Sequence, residues 1–285
     1  MSPTASAPGN DRRATLQDED DFINMLYLGD PGSGKTTAAA HMAHLGKVIW
    51  VCGENGLIKR RLQELGVPVE NIELYTDISY KALEDLHMEI LSALTQDPHA
   101  YAGVVFDTFS EVQGRLIEAK AKSLLVSQNE YGVNTSEMTR LLRKYTDLKC
   151  HIVWVTHAKR EKDPDGQLSY RSDMTPKVSA TLEGLTKIAC HVEARPRTDS
   201  EEADYIGYTR PHFKRAGKDR FGCLPPMLFN PTFDRIEAYV SGRYLRGAQL
   251  EADGSGEVPD GLDPLQYEYR KRMAAVAATP RTEEE

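Results

Sequence analysis

Eight consecutive residues carry the clearest chemistry in the chain. Gly29-Asp30-Pro31-Gly32-Ser33-Gly34-Lys35-Thr36 fits the pattern G-x-x-x-x-G-K-S/T at every fixed position, after an apolar run and before an Ala-rich one. Glycines let the backbone wrap closely around phosphates, and the loop amides then point at negative charge. Lys35 is expected to reach the β- and γ-phosphates and Thr36 to hold Mg²⁺, with Thr37 counted among the nucleotide-binding residues. The chemistry is that of a Mg-ATP site. A second metal-side group is then expected as an Asp ending an apolar strand. Gly103-Val104-Val105-Phe106-Asp107 supplies it, with a cap for the helix that follows as the weaker reading of Asp107.

Hydrolysis also needs a group to activate water. Glu54 follows the strand Val48 to Val51, and Glu111 lies four residues past Asp107. Glu54 is favoured because ligands in open α/β sheets bind at the carboxyl ends of strands. Glu111 is better explained as a first-turn acid favoured by the helix dipole. Thr156 and His157 end another apolar strand. That pair suits a γ-phosphate contact, and His157 suits a structural hydrogen-bonded histidine equally well.

These residues must be positioned by a repeating scaffold. Apolar runs at 22–28, 48–51, 72–75, 103–107 and 152–156 alternate with helical patterns at 36–45, 58–65, 80–94, 110–126 and 136–148. Strand then helix, repeated, predicts an α/β fold: a mostly parallel sheet with helices on both faces. After Ala158 the alternation stops. A polar stretch to Thr181 precedes 182–194 and 205–209, which read as extra strands at the sheet edge. The organisation expected is a disordered acidic segment over 1–21, one ATPase domain over 22–250, and a flexible acidic tail over 251–285 holding one short helix.

The net charge of −8 is uneven: 1–21 carries −3, 251–285 carries −5, and 22–250 has 29 bases and 29 acids. A neutral core leaves room for a basic face, so nucleic acid stays among the expected partners. The four cysteines form no C-x-x-C pair and read as buried thiols of a reducing cytosol. No run of 18 apolar residues predicts a membrane span, and the first residues lack a secretory pattern. A cytoplasmic location is expected.

With these residues in place, the chain resembles the RecA-like ATPases, and most closely the compact phage-encoded RecA/RadA-type proteins of single-strand annealing and recombination. The resemblance covers about residues 22–240 and rests on GDPGSGKT, VIWVCGEN, GVVFDTFSEV with a later HIVWVTH, and Lys218-Asp219-Arg220-Phe221-Gly222. It implies a Mg-dependent ATPase with Glu54 as catalytic glutamate and self-association into a ring or filament. Lys218 and Arg220 would reach the ATP of a neighbouring subunit. It also implies single-stranded DNA as a partner, held by two loops within 109–135 and 158–181, and a single-strand-binding or other recombination protein as a further one. The second loop offers Lys159, Arg160, Lys162, Tyr170, Arg171 and Lys177, bases for phosphates and an aromatic for stacking. Four acids interrupt it, so a solvated loop of balanced charge is the competing reading. The chain departs from the family in lacking paired cysteines of a zinc element, and in placing His157 where several relatives carry glutamine. A small-molecule kinase and a non-catalytic nucleotide switch are the rival readings.

Overall fold

The structure, a computed structural model, describes residues 22–121, 127–162, 168–197, 202–211, 215–244 and 261–278. Its strands are β1 (Asn24–Gly29), β2 (Val48–Cys52), β3 (Ile72–Tyr75), β4 (Gly103–Asp107), β5 (His151–Lys162), β6 (Leu168–Ser172), β7 (Ile188–Pro196), β8 (Ala203–Tyr208), β9 (Lys218–Asp219) and β10 (Met227–Phe229). Its helices are α1 (Lys35–Ala40), α2 (Lys59–Glu64), α3 (Tyr80–Gln96), α4 (Phe109–Glu118), α5 (Gln128–Thr146), α6 (Pro176–Leu185), α7 (Phe233–Val240) and α8 (Pro264–Ala278). The strands form one sheet in the order β10-β8-β7-β1-β5-β4-β2-β3, with β6 on β5 and β9 on β7. From β7 to β3 the pairing is parallel, and β6, β8, β9 and β10 add antiparallel. The expected α/β class and helix cover on both faces hold.

The central strands are apolar throughout because both faces are covered. Alternate residues feed two cores. Leu26, Leu28, Ile49, Val104, Phe106, Ile152 and Trp154 face one way, onto Leu83, Leu86, Val112, Leu141 and Leu182 of α3 to α6. Met25, Tyr27, Val48, Trp50, Val105 and Val153 face the other, onto Ala38, Ala39, Met42, Phe233 and Ile236 of α1, the 3₁₀ turn His41–Leu45 and α7. In the first core, Phe106 stacks on Trp154 at 4.6 Å and meets Tyr145 edge-on at 4.8 Å, which fixes the strand that ends in Asp107. Trp154 Nε1 donates to Asn24 Oδ1 at 2.8 Å, so this indole has its polar partner. Of the cysteines, Cys150 and Cys190 are buried and Cys52 and Cys223 partly so.

Several expected boundaries change. The residues 182–194 do not make an edge strand: β7 lies inside the sheet, parallel to β1. Within the stretch 158–181, β5 runs on to Lys162 and pairs antiparallel with β6, and α6 follows. The first expected DNA loop is mostly helix, since α5 begins at Gln128 under a capping box from Ser127 and Glu130. That S-x-x-E signature stands in the sequence and marks the helix start eight residues earlier than the apolar spacing does. The expectations for 1–21 and for the edge at 250 lie outside the described residues.

The helix expected near the C-terminus is present as α8, and it is docked. Gln266 accepts from the Phe229 amide at 2.8 Å and donates to the Met227 carbonyl at 3.1 Å. Tyr269 stacks on Phe229 at 4.8 Å, and Asp263 pairs with Arg235 of α7 out of reach of water. Removing one partner of a buried pair leaves an uncompensated charge. Asp263→Ala is therefore expected to cost about 3 kcal/mol, because Arg235 keeps its bonds to the Phe229 and Asn230 carbonyls. Urea unfolding measures it, and a loss below about 1 kcal/mol, the worth of a surface pair, would mean that the pair does not hold α8.

Candidate nucleotide site

The parallel strands all end on one edge of the sheet, and the register fixes what meets there. Gly29 of β1 is level with His157 of β5, and Asp107 of β4 with Val155 of β5 and Cys52 of β2. The order β1-β5-β4-β2 thus brings the phosphate loop, His157, Asp107 and the residues after Cys52 together. The loop can turn here only with glycine. A Cβ on Gly29 would lie 2.3 Å from the Val192 carbonyl oxygen, and Gly34 combines a φ of 87° with the Tyr205 ring at 2.8 Å from its would-be Cβ.

Within the loop, Lys35 is buried and donates to the carbonyls of Gly29 at 2.9 Å and Asp30 at 2.8 Å, and to Ser33 Oγ at 3.4 Å. Burial lowers its pKa, against Asp107, Glu54 and Asp30, which raise it. Thr36 Oγ1 donates to Asp107 Oδ1 at 3.1 Å, joining the two expected metal ligands. Asp107 is about 1% exposed, and its Oδ2 is buried with no hydrogen-bond partner. Burial pushes its carboxyl up to about 6, with the Thr36 bond opposing and the Glu54 charge adding to the rise. An orphaned carboxylate oxygen beside a threonine hydroxyl is a hard oxygen donor set, and it fits Mg²⁺. Bound there, the ion would be held by Thr36 and Asp107 and would neutralise phosphate charge. Thr37 is half-buried on α1, and Pro31 and Gly32 are exposed on the rim of the loop.

Glu54 enters from the loop after β2. The amides of Gly53 and Glu54 both donate to the Asp107 carbonyl, at 2.8 and 3.0 Å, which draws this loop over the end of β4. Glu54 Oε1 accepts from Thr108 Oγ1 at 2.7 Å and contacts His157 Nε2 at 2.7 Å. Burial raises its pKa, but the Thr108 and His157 bonds and Lys35 outweigh it, so the carboxyl is held below its usual range. Ionised, it accepts a hydrogen bond from His157 Nε2–H. His157 is fixed in turn by its amide, which donates to Ser110 Oγ at 3.2 Å. These contacts orient the Glu54 carboxylate and hold it beside the end of β4. Glu111 instead sits in the first turn of α4, paired with Arg115 at 3.2 Å.

Lys218 and Arg220 do not join this site in the same chain. β9 pairs with Ile188 and Ala189 at the start of β7, the sheet edge opposite Gly29. Lys218 Nζ donates to the Glu183 carbonyl at 2.6 Å and Arg220 to the Gly184 carbonyl at 2.9 Å, so both cations cap the C-terminal end of α6. Sequence reasoning missed three neighbours of the loop. Thr108 was legible as a helix cap before Glu111. Tyr205 and the Arg160–Asp30 contact at 3.3 Å are brought in by tertiary structure and leave no local signal.

Sheet order, phosphate loop and Asp107 together define a P-loop nucleoside triphosphatase, a nucleotide-binding class that works with Mg²⁺. The family described as an AAA domain matches residues 21–221, and the chain belongs to that family. The match ends before β10, α7 and α8. No curated protein matches the chain. No helix among the described residues is long and apolar enough to cross a membrane.

Two outcomes follow from this geometry. Glu54→Gln keeps the shape and both contacts; with Glu54 as the expected base, nucleotide binding should persist while turnover falls by about 10²–10⁴-fold, and a parental rate would assign the base elsewhere. The second concerns Asp107. Its folded pKa lies above the unfolded value of 3.8, so the folded chain binds more protons in that window. Stability of the magnesium-free protein should fall as pH rises from about 4 to 6. Asp107→Asn should flatten that slope and stabilise this form at pH 7 by about 1–2 kcal/mol, the carboxylate penalty less the cost of a buried amide. Denaturant melts at pH 4 and 7 measure both, and an unchanged slope would contradict the assignment.

Proposed function

We propose that the chain is a DNA-dependent ATPase of the RecA-like class, acting on single-stranded DNA in recombination or annealing as a self-associated ring or filament. One observation carries the reading: the basic, aromatic hairpin β5–β6 is tied to the phosphate loop. Arg160 reaches Asp30 at 3.3 Å and lies 5.5 Å over the Tyr170 ring, with Lys159 level with Arg171 across the hairpin. The strand that ends the nucleotide site at His157 is the strand that runs on into this hairpin. Cations for phosphates and a ring for a base, on an element touching the loop, suit a nucleic acid whose binding changes turnover. Lys218 and Arg220 support the shared-site part of the reading. They lie at the sheet edge opposite their own loop, at the end of α6, so serving a nucleotide would fall to a neighbouring copy's site. A cation supplied in trans is worth about 10³–10⁵ in rate.

The test is ATP turnover with and without single-stranded DNA, alongside Lys35→Ala. Stimulation by DNA, loss in Lys35→Ala, and DNA binding whose log–log salt slope gains about −0.7 per neutralised phosphate are expected. Mixing Lys35→Ala with Arg220→Ala should restore activity that each lacks alone. Turnover indifferent to DNA, with no binding at low salt, would overturn the DNA reading. A fully active Arg220→Ala would leave it with only the cap on α6.

A further inference from the structure

Away from the phosphate loop, His41, His44 and Asp234 form a cluster that the ATPase chemistry does not use. His41 directly follows α1 and His44 comes three residues later in the 3₁₀ turn, where residues i and i+3 eclipse, so the two rings share one side. They lie 5.3 Å apart, centroid to centroid. Asp234, in the first turn of α7, faces them, with its Oδ1 at 3.6 Å from His41 Nδ1. One ligand atom from each of the three residues falls within 4.8 Å of the others.

The His41–Asp234 contact is not a satisfied hydrogen bond. Charge-assisted N–H···O bonds run about 2.7–2.9 Å, and this pair stands apart at 3.6 Å. Both atoms are buried, and neither has another partner. At this separation the imidazole nitrogen and the carboxylate oxygen, both sealed from water, are left without a hydrogen bond, and a cation held between them would satisfy both.

We propose that His41, His44 and Asp234 bind one divalent transition-metal ion of the zinc class. Two imidazoles and a carboxylate are a borderline donor set suited to Zn²⁺, Co²⁺ or Ni²⁺, unlike the all-oxygen set at Thr36 and Asp107. Zinc bonds of about 2.0–2.2 Å require the three ligand atoms to draw together from the 4.8 Å that now bounds them, a movement of side-chain torsions. The exposed side of His44 leaves a fourth position for water. The ion would clamp the end of the helix that begins at Lys35 to α7, on the face where these elements already share a core.

The experiment uses the full, untagged chain with Mg²⁺ in excess to fill the phosphate site. Cobalt(II) is the optical probe and zinc the competitor. The expected result is one equivalent of cobalt with visible d–d bands, displaced by zinc, and a thermal midpoint raised by either ion. His44→Ala alters an exposed side chain and Asp234→Asn keeps the shape, so both should fold, and each should weaken cobalt binding at least about 10-fold. Binding equally tight in both variants would overturn the proposal, as would a sulfur-to-cobalt charge-transfer band assigning the ion to cysteines. Absence of any bound cobalt in the folded parent would also overturn it.

Discussion

The hydrogen bond from Thr36 to Asp107 is the contact on which the site depends. It links a residue from the first turn of α1 to the end of a strand two places away in the sheet, and so can form only if β5 lies between β1 and β4 in the observed register. A slip by one residue would turn Asp107 to the other face and carry Phe106 out of its stack on Trp154. The packed aromatics below the site and the polar groups above it therefore enforce one another. The apolar strands pay for an aspartate whose ionisation the fold itself opposes.

Glu54 shows how such a sheet assembles a site from parts remote in sequence. The loop after β2 has no regular structure, yet two amides bind it to the Asp107 carbonyl, and Thr108 and His157 seize its carboxylate. Four segments, spread over more than a hundred residues, meet because their strands are parallel and end together. An antiparallel arrangement would have sent half of these groups to the far edge, where Lys218 and Arg220 are found.

Much of this was legible in the sequence for definite reasons. The phosphate loop is a local device whose glycines and lysine are set by the backbone they must form. The apolar runs of β1, β2, β4 and β5 are unmistakable because both their faces are buried, and Asp107 and Glu54 follow from where those runs stop. The segment after Ala158 misled because its strand is half exposed. β5 leaves the core at His157 and continues as a polar hairpin, so the apolar signal ends before the strand does. β7 was taken for an edge because order within a sheet is a property of crossovers, and residue patterns are silent on it. The ring of Tyr205 over Gly34 and the reach of Arg160 to Asp30 depend on that order and share the silence.

The Arg160–Asp30 pair gives the hairpin an electrostatic latch. A guanidinium held by a single carboxylate across an exposed gap is held weakly, and its other face already rests on Tyr170. Any anion of higher charge density that arrives on either side competes for the same cation. A polyphosphate in the loop would draw it inward, and a polyanion along the hairpin would draw it outward. Under the proposed function, occupancy of one surface would then be felt at the other through this one side chain, and that coupling should fade as added salt screens the contest.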